Sequence, residues 1–169
     1  MSSKLLTELK QKKPFPSSYA EAAVALLRTA DLVRRHIESA IAPHDITPQQ
    51  YNVLRILRGA GPGGLPTLEI ANRMIEQTPG ITRLLDRLEA RELVTRKRCA
   101  EDRRQVLCYI SKAGLDLLAV LDAPVEAADH GALSALDPNQ ITQLLALLDG
   151  VRESLQPENA SRTKGKELS

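Results

Sequence analysis

The side chains of this chain best suited to bind a polyanion lie close together in the sequence. Residues 95–104 hold five basic and two acidic residues, a local charge of +3. The residues that follow, 106–110, favour a β-strand that stops before Gly114, and 95–98 supply an outgoing strand. The pattern predicts a β-hairpin with a charged tip. Such a hairpin suits a polyanion, because its arginines and lysines can neutralise the partner's negative charges.

The segment just before the hairpin predicts an amphipathic helix. Its apolar positions follow the i, i+3, i+4, i+7 spacing of a helix and are Ile81, Leu84, Leu85 and Leu88. The opposite face carries Thr82, Arg83, Asp86 and Arg87. A helix that shows threonine and arginine to solvent, followed by a basic hairpin, is the layout of a winged helix-turn-helix.

We therefore predict contacts with double-stranded DNA from the helix and the hairpin, or wing. Arginine reads guanine in the major groove, and an arginine at the wing tip can enter a narrow minor groove. The predicted DNA-binding residues are Thr78, Gly80, Thr82, Arg83, Arg87, Arg96, Arg98, Asp102, Arg103 and Arg104. Within this set, Arg96 and Arg98 are expected to contact phosphates, and Asp102 to orient an arginine.

The acidic residue of the helix is not expected to contact DNA, because phosphates repel a carboxylate. Asp86 is predicted to orient an arginine instead. The alternative for the helix is a solvated face with an Asp86–Arg83 pair. The alternative for the hairpin is a charged turn that keeps an edge strand soluble.

Charge is distributed unevenly along the chain. Residues 113–159 hold eight acidic residues and one basic residue, whereas residues 1–112 hold nineteen basic and twelve acidic ones. A chain polarised in this way presents one end to a polyanion and turns the other away. The aromatic content of 2% predicts an aliphatic, mainly helical interior. No apolar run is long enough for a membrane span and no signal peptide opens the chain, so we expect a cytoplasmic protein without a membrane partner.

The clearest helix start lies at residue 47. Thr47, Pro48 and Gln50 match a capping box with proline in the first turn, and Ile46 and Tyr51 can form a hydrophobic staple. The predicted helices span about residues 18–42, 47–58, 66–75, 79–91 and 112–128, and a last helix opens at residue 137. Residues 1–16 are predicted to be a mobile arm or an extended segment.

Aliphatic stripes on the first long helix and the last helix predict a homodimer. The last helix alone shows six regularly spaced aliphatic residues, more than one short helix can bury by itself. The predicted interface residues are Leu26, Val33, Ile141, Leu144, Leu145, Leu148, Val151 and Leu155.

Other candidate sites are weaker. The glycines at 59, 61 and 64 spell a dinucleotide-binding motif, but they follow a helix and include Pro62, so a plain loop is predicted. Cys99 and Cys108 leave a redox-sensing regulator as an alternative, although alternation places Cys108 inside the sheet as a small hydrophobe. Three scattered histidines do not match a zinc site, and no catalytic constellation is present, so neither a cofactor nor an enzyme is predicted.

From Thr47 to Gly114 the chain resembles the MarR family of bacterial transcription regulators. The likeness lies in residues 46–54 (ITPQQYNVL), 69–71 (EIA), 81–89 (ITRLLDRLE), 102–104 (DRR) and 110–114 (ISKAG). The resemblance implies dimerisation through the N- and C-terminal helices, an arginine of the wing in a minor groove, for which Arg104 is preferred to Arg103, and a cleft for aromatic effectors. Ile75 stands where the family often has a turn glycine, and this predicts either a tighter turn or a third helix one or two residues longer.

The sequence thus predicts a mainly α (α+β) fold, a winged helix-turn-helix with a two-stranded wing and long N- and C-terminal dimerisation helices. The predicted regions are an N-terminal arm and dimerisation helix (1–45), a DNA-binding domain (46–113), C-terminal dimerisation helices (114–157) and a disordered tail (158–169). The predicted function is a transcriptional regulator, most simply a repressor, that binds a pseudo-palindromic operator as a homodimer. A winged-helix module that binds proteins, and an enzyme or ligand carrier, are the remaining alternatives.

Overall fold

The computed structural model describes residues 4–77, 79–98 and 105–156. These residues form a mainly helical fold with one small antiparallel sheet, as predicted. The elements, in chain order, are α1 (Lys4–Glu8), α2 (Ser18–Ile41), α3 (Pro48–Ala60), β1 (Leu65–Pro66), α4 (Thr67–Arg73), α5 (Ile81–Ala90), β2 (Val94–Arg98), β3 (Val106–Ile110), α6 (Lys112–Leu133) and α7 (Pro138–Ser154).

The start of α3 is fixed by its own side chains. Thr47 Oγ1 accepts a hydrogen bond from the Gln50 amide at 3.2 Å, and the Thr47 amide donates to Gln50 Oε1 at 3.0 Å. Ile46 and Tyr51 are both buried beside this capping box. The predicted start is confirmed, but the helix continues through Ala60, so Gly59 is helical and the glycine-rich turn is shorter than predicted.

The predicted two-stranded wing is confirmed, and a third strand that was not predicted completes the sheet. β2 and β3 form the expected antiparallel hairpin, with Thr95 opposite Tyr109, and β1 pairs with the other edge of β3. Gly64 leads into β1 with φ of 63°, and a Cβ there would lie 2.6 Å from the Tyr109 ring. Glycine is therefore required where β1 approaches β3.

The core of the winged helix is aliphatic. The side chains exposed by less than 2% include Leu54, Leu57, Ile70, Leu85, Leu88, Leu118 and Leu121, from α3, α4, α5 and α6. The first half of α6 thus belongs to the same core as α3, α4 and α5. Its start is joined to the connection between α5 and β2, because the Ser111 amide, directly before α6, donates to the Leu93 carbonyl at 3.0 Å.

The turn between α4 and α5 differs from both predictions made for it. α4 ends at Arg73, before the predicted residue 75, and Met74 is extended. The Ile75 side chain is 86% exposed, while its amide donates to Asn52 Oδ1 on α3 at 2.9 Å. An asparagine side chain of α3 therefore anchors the turn between α4 and α5.

The N-terminal segment also departs from prediction. Residues 4–8 form the short helix α1 rather than an extended arm, and the Leu9 amide continues its hydrogen bonding by donating to the Leu5 carbonyl. The described residues divide into two compact units, one ending at Asp129 and one beginning at His130. Within the described ranges, no helix has the length and apolar character needed to cross a membrane.

Candidate nucleic-acid interface

The helix α5 carries the candidate reading residues on its solvent face. Leu84, Leu85 and Leu88 are buried, whereas Thr82, Arg83 and Arg87 are exposed. This arrangement confirms the amphipathic pattern predicted for the helix. α5 is preceded by Gly80, which has φ of 87°, and it begins without a side-chain cap. Thr78, predicted to cap the helix and contact DNA, lies outside the described residues.

The C-terminal end of α5 lies beside the start of α3. Arg91 donates hydrogen bonds to the backbone carbonyls of Asp45 and His44 in the turn before α3. Arg87 and Thr47 both line a shallow depression of about 500 Å³ at this junction. The exposed guanidinium of Arg87 thus lies near a helix N-terminus, and both features favour a negatively charged partner.

The basic side chains of β2 differ in exposure, although Arg96 and Arg98 project from the same face of the strand. Lys97 and Arg98 are exposed, and the Lys97 ammonium lies 5.8 Å from the centre of the Tyr109 ring. Arg96 is in phase with buried Val94, and its side chain is only 21% exposed. Two arginines of this strand were predicted to contact phosphates. Arg98 is exposed to solvent, whereas Arg96 packs against α5.

Arg96 is held by two carboxylates of α5. Its Nε donates to Glu89 Oε2 at 2.9 Å, and its Nη2 donates to Asp86 Oδ1. The hydrogen bond with Asp86 raises the pKa of Arg96, so its guanidinium stays charged at any working pH. Asp86 does pair with an arginine, but with Arg96 rather than with Arg83 on its own helix. Alternation with Val94 was the signal in the sequence that could have found this pair.

The wing tip, residues 99–104, lies outside the described residues. The predicted contacts of Asp102, Arg103 and Arg104 therefore remain predictions, and so does any role of Cys99. Cys108 is fully buried on β3, and burial raises the pKa of its thiol. A buried, protonated thiol is a poor redox sensor. In the described part of the chain, no cluster of His, Cys, Asp and Glu could hold a metal ion.

The predicted interface residues are accessible in the single chain. On α7, Leu145 is 56% exposed, and none of the residues of this helix, which is described throughout, is buried; Leu155, directly after the helix, is 76% exposed. On α2, Leu26 is exposed and Val33 is half-buried. The remaining predicted residues, Ile141, Leu144, Leu148 and Val151, are half-buried or exposed.

Two groups of ion pairs were not predicted from the sequence. On α2, Asp31 pairs with Arg34 at 2.6 Å and Arg35 at 2.7 Å, and the hydrogen bond from Arg34 lowers the pKa of Asp31. Their i, i+3 and i, i+4 spacing could have predicted these pairs. Between α3 and α6, Arg58 donates two hydrogen bonds to Asp122 at 2.8 and 2.9 Å. No local pattern indicates that contact.

Comparison with known proteins agrees with this architecture. The sequence profile of the MarR family matches residues 46–106. The chain is 30% identical over 137 residues to the HTH-type transcriptional regulator TtmR of Methylorubrum extorquens, an alignment that covers 81% of this chain and 68% of that protein.

Solved structures show the same fold. A MarR transcription factor from Planctomyces limnophilus is 39% identical, with a TM-score of 0.62, and the match covers 80% of this chain and 98% of that one. A mutant MarR from E. coli, crystallised with operator DNA, is 22% identical, with a TM-score of 0.71, over 88% of this chain and 99% of that one. The winged helix, the exposed face of α5 and these relatives together place the chain in the MarR family of transcriptional regulators.

Proposed function

We propose that this regulator is a repressor that binds a pseudo-palindromic operator as a homodimer in the cytoplasm and is released by a small aromatic effector. The observation that supports DNA binding most directly is the solvent face of α5. It presents Thr82, Arg83 and Arg87 above three buried leucines, and the basic strand β2 follows it. The E. coli relative crystallised with operator DNA supports the same partner.

The chemistry of this face favours base reading. Arg83 and Arg87 are one helical turn apart, so both guanidinium groups can reach adjacent base pairs when α5 lies in a major groove. Each can make a bidentate contact with guanine, worth about 1–3 kcal/mol of discrimination. Lys97 and Arg98 on the wing are placed to contact the backbone, which adds affinity without sequence preference.

The proposed dimer follows from the aliphatic surface of α7. A stripe that includes Leu145, Leu148 and Leu155 would cost free energy if it stayed in water, and a second copy of the chain would cover it. A two-fold dimer presents two copies of α5, which explains the proposed pseudo-palindromic site. In this proposal residues 46–113 bind DNA, while 1–45 and 114–157 dimerise.

The test separates base contacts from phosphate contacts. An operator is first selected from a pool of random duplexes, and affinity is then measured for that operator and for random DNA over a series of salt concentrations. Arg83→Ala and Arg87→Ala should weaken operator binding by about 1–3 kcal/mol each and random binding much less. Arg98→Ala should weaken both alike and lower the salt slope by about 0.9.

Arg152→Ala on α7 is the charge control, because it removes the same charge from the acidic part of the chain; since Arg152 lies on the same face of α7 as Leu145 and Leu148, light scattering first checks that this variant still forms the same oligomer as the wild type. It should leave both affinities unchanged. Equal losses on operator and random DNA for Arg83→Ala and Arg87→Ala would show that α5 is not the reader. Binding of random duplex that does not depend on salt would favour a protein-binding winged helix instead. The effector proposal is checked by titrating hydroxybenzoates into the operator complex, where dissociation is the expected result.

A further inference from the structure

The inference concerns the ion-pair cluster formed by Arg96 of β2 with Asp86 and Glu89 of α5, and it rests on the proposed DNA-binding function. The Arg96 guanidinium contacts both carboxylates, with Glu89 Oε2 2.8 Å from its Nη2 and 2.9 Å from its Nε. Asp86 and Glu89 are three residues apart, so both project from one side of the helix toward β2. One planar group therefore joins the wing to α5 at two points.

Asp86 lies between the two proposed reading residues. It is three residues after Arg83 and directly before Arg87, and its side chain is 55% exposed. An aspartate at this spacing can pair with Arg83 along the helix. Such a pair would draw the Arg83 guanidinium away from the base edges and would use its positive charge on the Asp86 carboxylate instead of on DNA.

We propose that Arg96 is a positioning residue, which holds Asp86 against the wing so that Arg83 stays free to read bases, and that Arg96 itself does not contact DNA. Three features of the site support this role. The side chain of Arg96 is largely covered, its hydrogen bonds to Asp86 and Glu89 leave less of the guanidinium for a phosphate, and its neighbours Lys97 and Arg98 are the exposed cations of the strand.

The proposal is tested by a suppressor experiment in the full-length protein. Arg96→Met should lower the preference for operator over random DNA on the order of tenfold, because the released Asp86 carboxylate would pair with Arg83 and keep it from the bases. Its salt slope should equal that of the wild type, because no phosphate contact is lost. In an Asp86→Asn background, where the competing carboxylate is gone, Arg96→Met should change the preference by less than about threefold.

Two further variants keep the test decisive. Arg152→Met removes a charge that also pairs with an aspartate, Asp149, and should leave the operator preference unchanged. Arg96→Lys replaces Arg96→Met if the latter fails to fold. It should lose part of the preference in the wild-type background and none in the Asp86→Asn background, because lysine lacks the fork that reaches both carboxylates.

Four outcomes would count against the proposal, and one of them concerns the proposed function as a whole. A salt slope lowered by about 0.9 in Arg96→Met, with equal losses on both DNAs, would make Arg96 a phosphate contact. An undiminished loss in the Asp86→Asn background would show that Arg96 does not act through Asp86. A wild-type protein without operator preference would refute the proposed function itself, whereas a normal wild type with insensitive Arg96 variants would refute only this inference.

Discussion

A methyl group added at Gly114 should destabilise the fold. Gly114 is the third residue of α6, and a Cβ there would lie 2.4 Å from the Leu93 carbonyl oxygen and 2.8 Å from Ile110 Cγ1. Ordinary carbon contacts are about 3.5 Å or longer, so the Leu93 carbonyl would have to move by about 1 Å. That carbonyl accepts the hydrogen bond from the Ser111 amide that joins the start of α6 to the connection between α5 and β2.

The magnitude follows from three contributions. Overpacking at a rigid backbone atom costs about 1–3 kcal/mol. The weakened hydrogen bond from Ser111 costs about 1 kcal/mol. Alanine gains up to about 1 kcal/mol over glycine in a helix. Gly114→Ala should therefore lower the free energy of unfolding by about 1–3 kcal/mol.

Urea denaturation followed by circular dichroism measures this change. With a slope of about 2 kcal/mol per molar urea, the midpoint should fall by about 0.5–1.5 M. Protein concentration must be fixed, because a dimer's stability depends on it. Gly59→Ala near the end of α3 is the control, since no atom lies within 4 Å of its added Cβ, and it should be neutral or stabilising by up to about 1 kcal/mol. A Gly114→Ala protein as stable as wild type would refute the close approach of Leu93 to α6.

Three further predictions concern an ion pair of α6, the proposed dimer interface and the wing. The hydrogen bond from Arg58 lowers the pKa of Asp122, so this ion pair should stabilise the fold fully above the unfolded pKa near pH 4 and lose its effect as the pH falls further. Because the Asp122 side chain is 48% exposed, Asp122→Ala should lower the free energy of unfolding by only about 0.5–1 kcal/mol at pH 7, and by less at pH 3, in urea denaturation. Leu145→Asp with Leu148→Asp should give monomers or insoluble protein in light scattering, because the charges would enter the proposed interface. Arg104→Ala should reduce affinity for operators with A·T-rich flanks and have little effect with G·C-rich flanks in titrations at one salt concentration, because its proposed contact senses groove width.

Each of these has its own control and contrary result. If Asp122→Ala lowers the free energy of unfolding by the same amount at every pH, the substitution acts on helix α6 itself and not through the ion pair. Asp116→Ala is the comparison, because Asp116 lies on the same helix and pairs with Lys112 one turn away. Ala146→Asp, on the opposite face of α7, should leave the oligomer intact, and a soluble dimer in the double leucine variant would remove α7 from the interface. An unchanged flank preference in Arg104→Ala would make the wing a phosphate clamp without sequence preference.

The sequence predicted the elements that depend on local patterns. The start of α3 could be found because Thr47 and Gln50 bond to each other within four residues, and α5 because its leucines repeat with the helix period. The strand β1 could not be found, because two residues carry no periodicity. Its place depends on Gly64 meeting a ring more than forty residues later.

Contacts between distant residues were also missed, for the same reason. The Arg58–Asp122 pair joins residues 64 positions apart, and nothing near either residue indicates its partner. Arg96 shows a different case, since its type and charge favoured a DNA contact and its phase with Val94 put it on the inner face of the strand. Arg98 shares that phase and is exposed, so the buried position of Arg96 also depends on Asp86 and Glu89 of α5, which lie beside it.

The hydrogen bond from the Ile75 amide to Asn52 has a consequence for how this protein can diverge. Ile75 has no positive φ, so the turn between α4 and α5 does not need a glycine while the Asn52 side chain holds it. The course of that turn is thus determined by Asn52, 23 residues before it in the chain, because Ile75 contributes only its backbone amide, which every residue except proline supplies. Among relatives with the same turn, we expect a side-chain acceptor at the position of Asn52, whereas the position of Ile75 should accept any residue except proline.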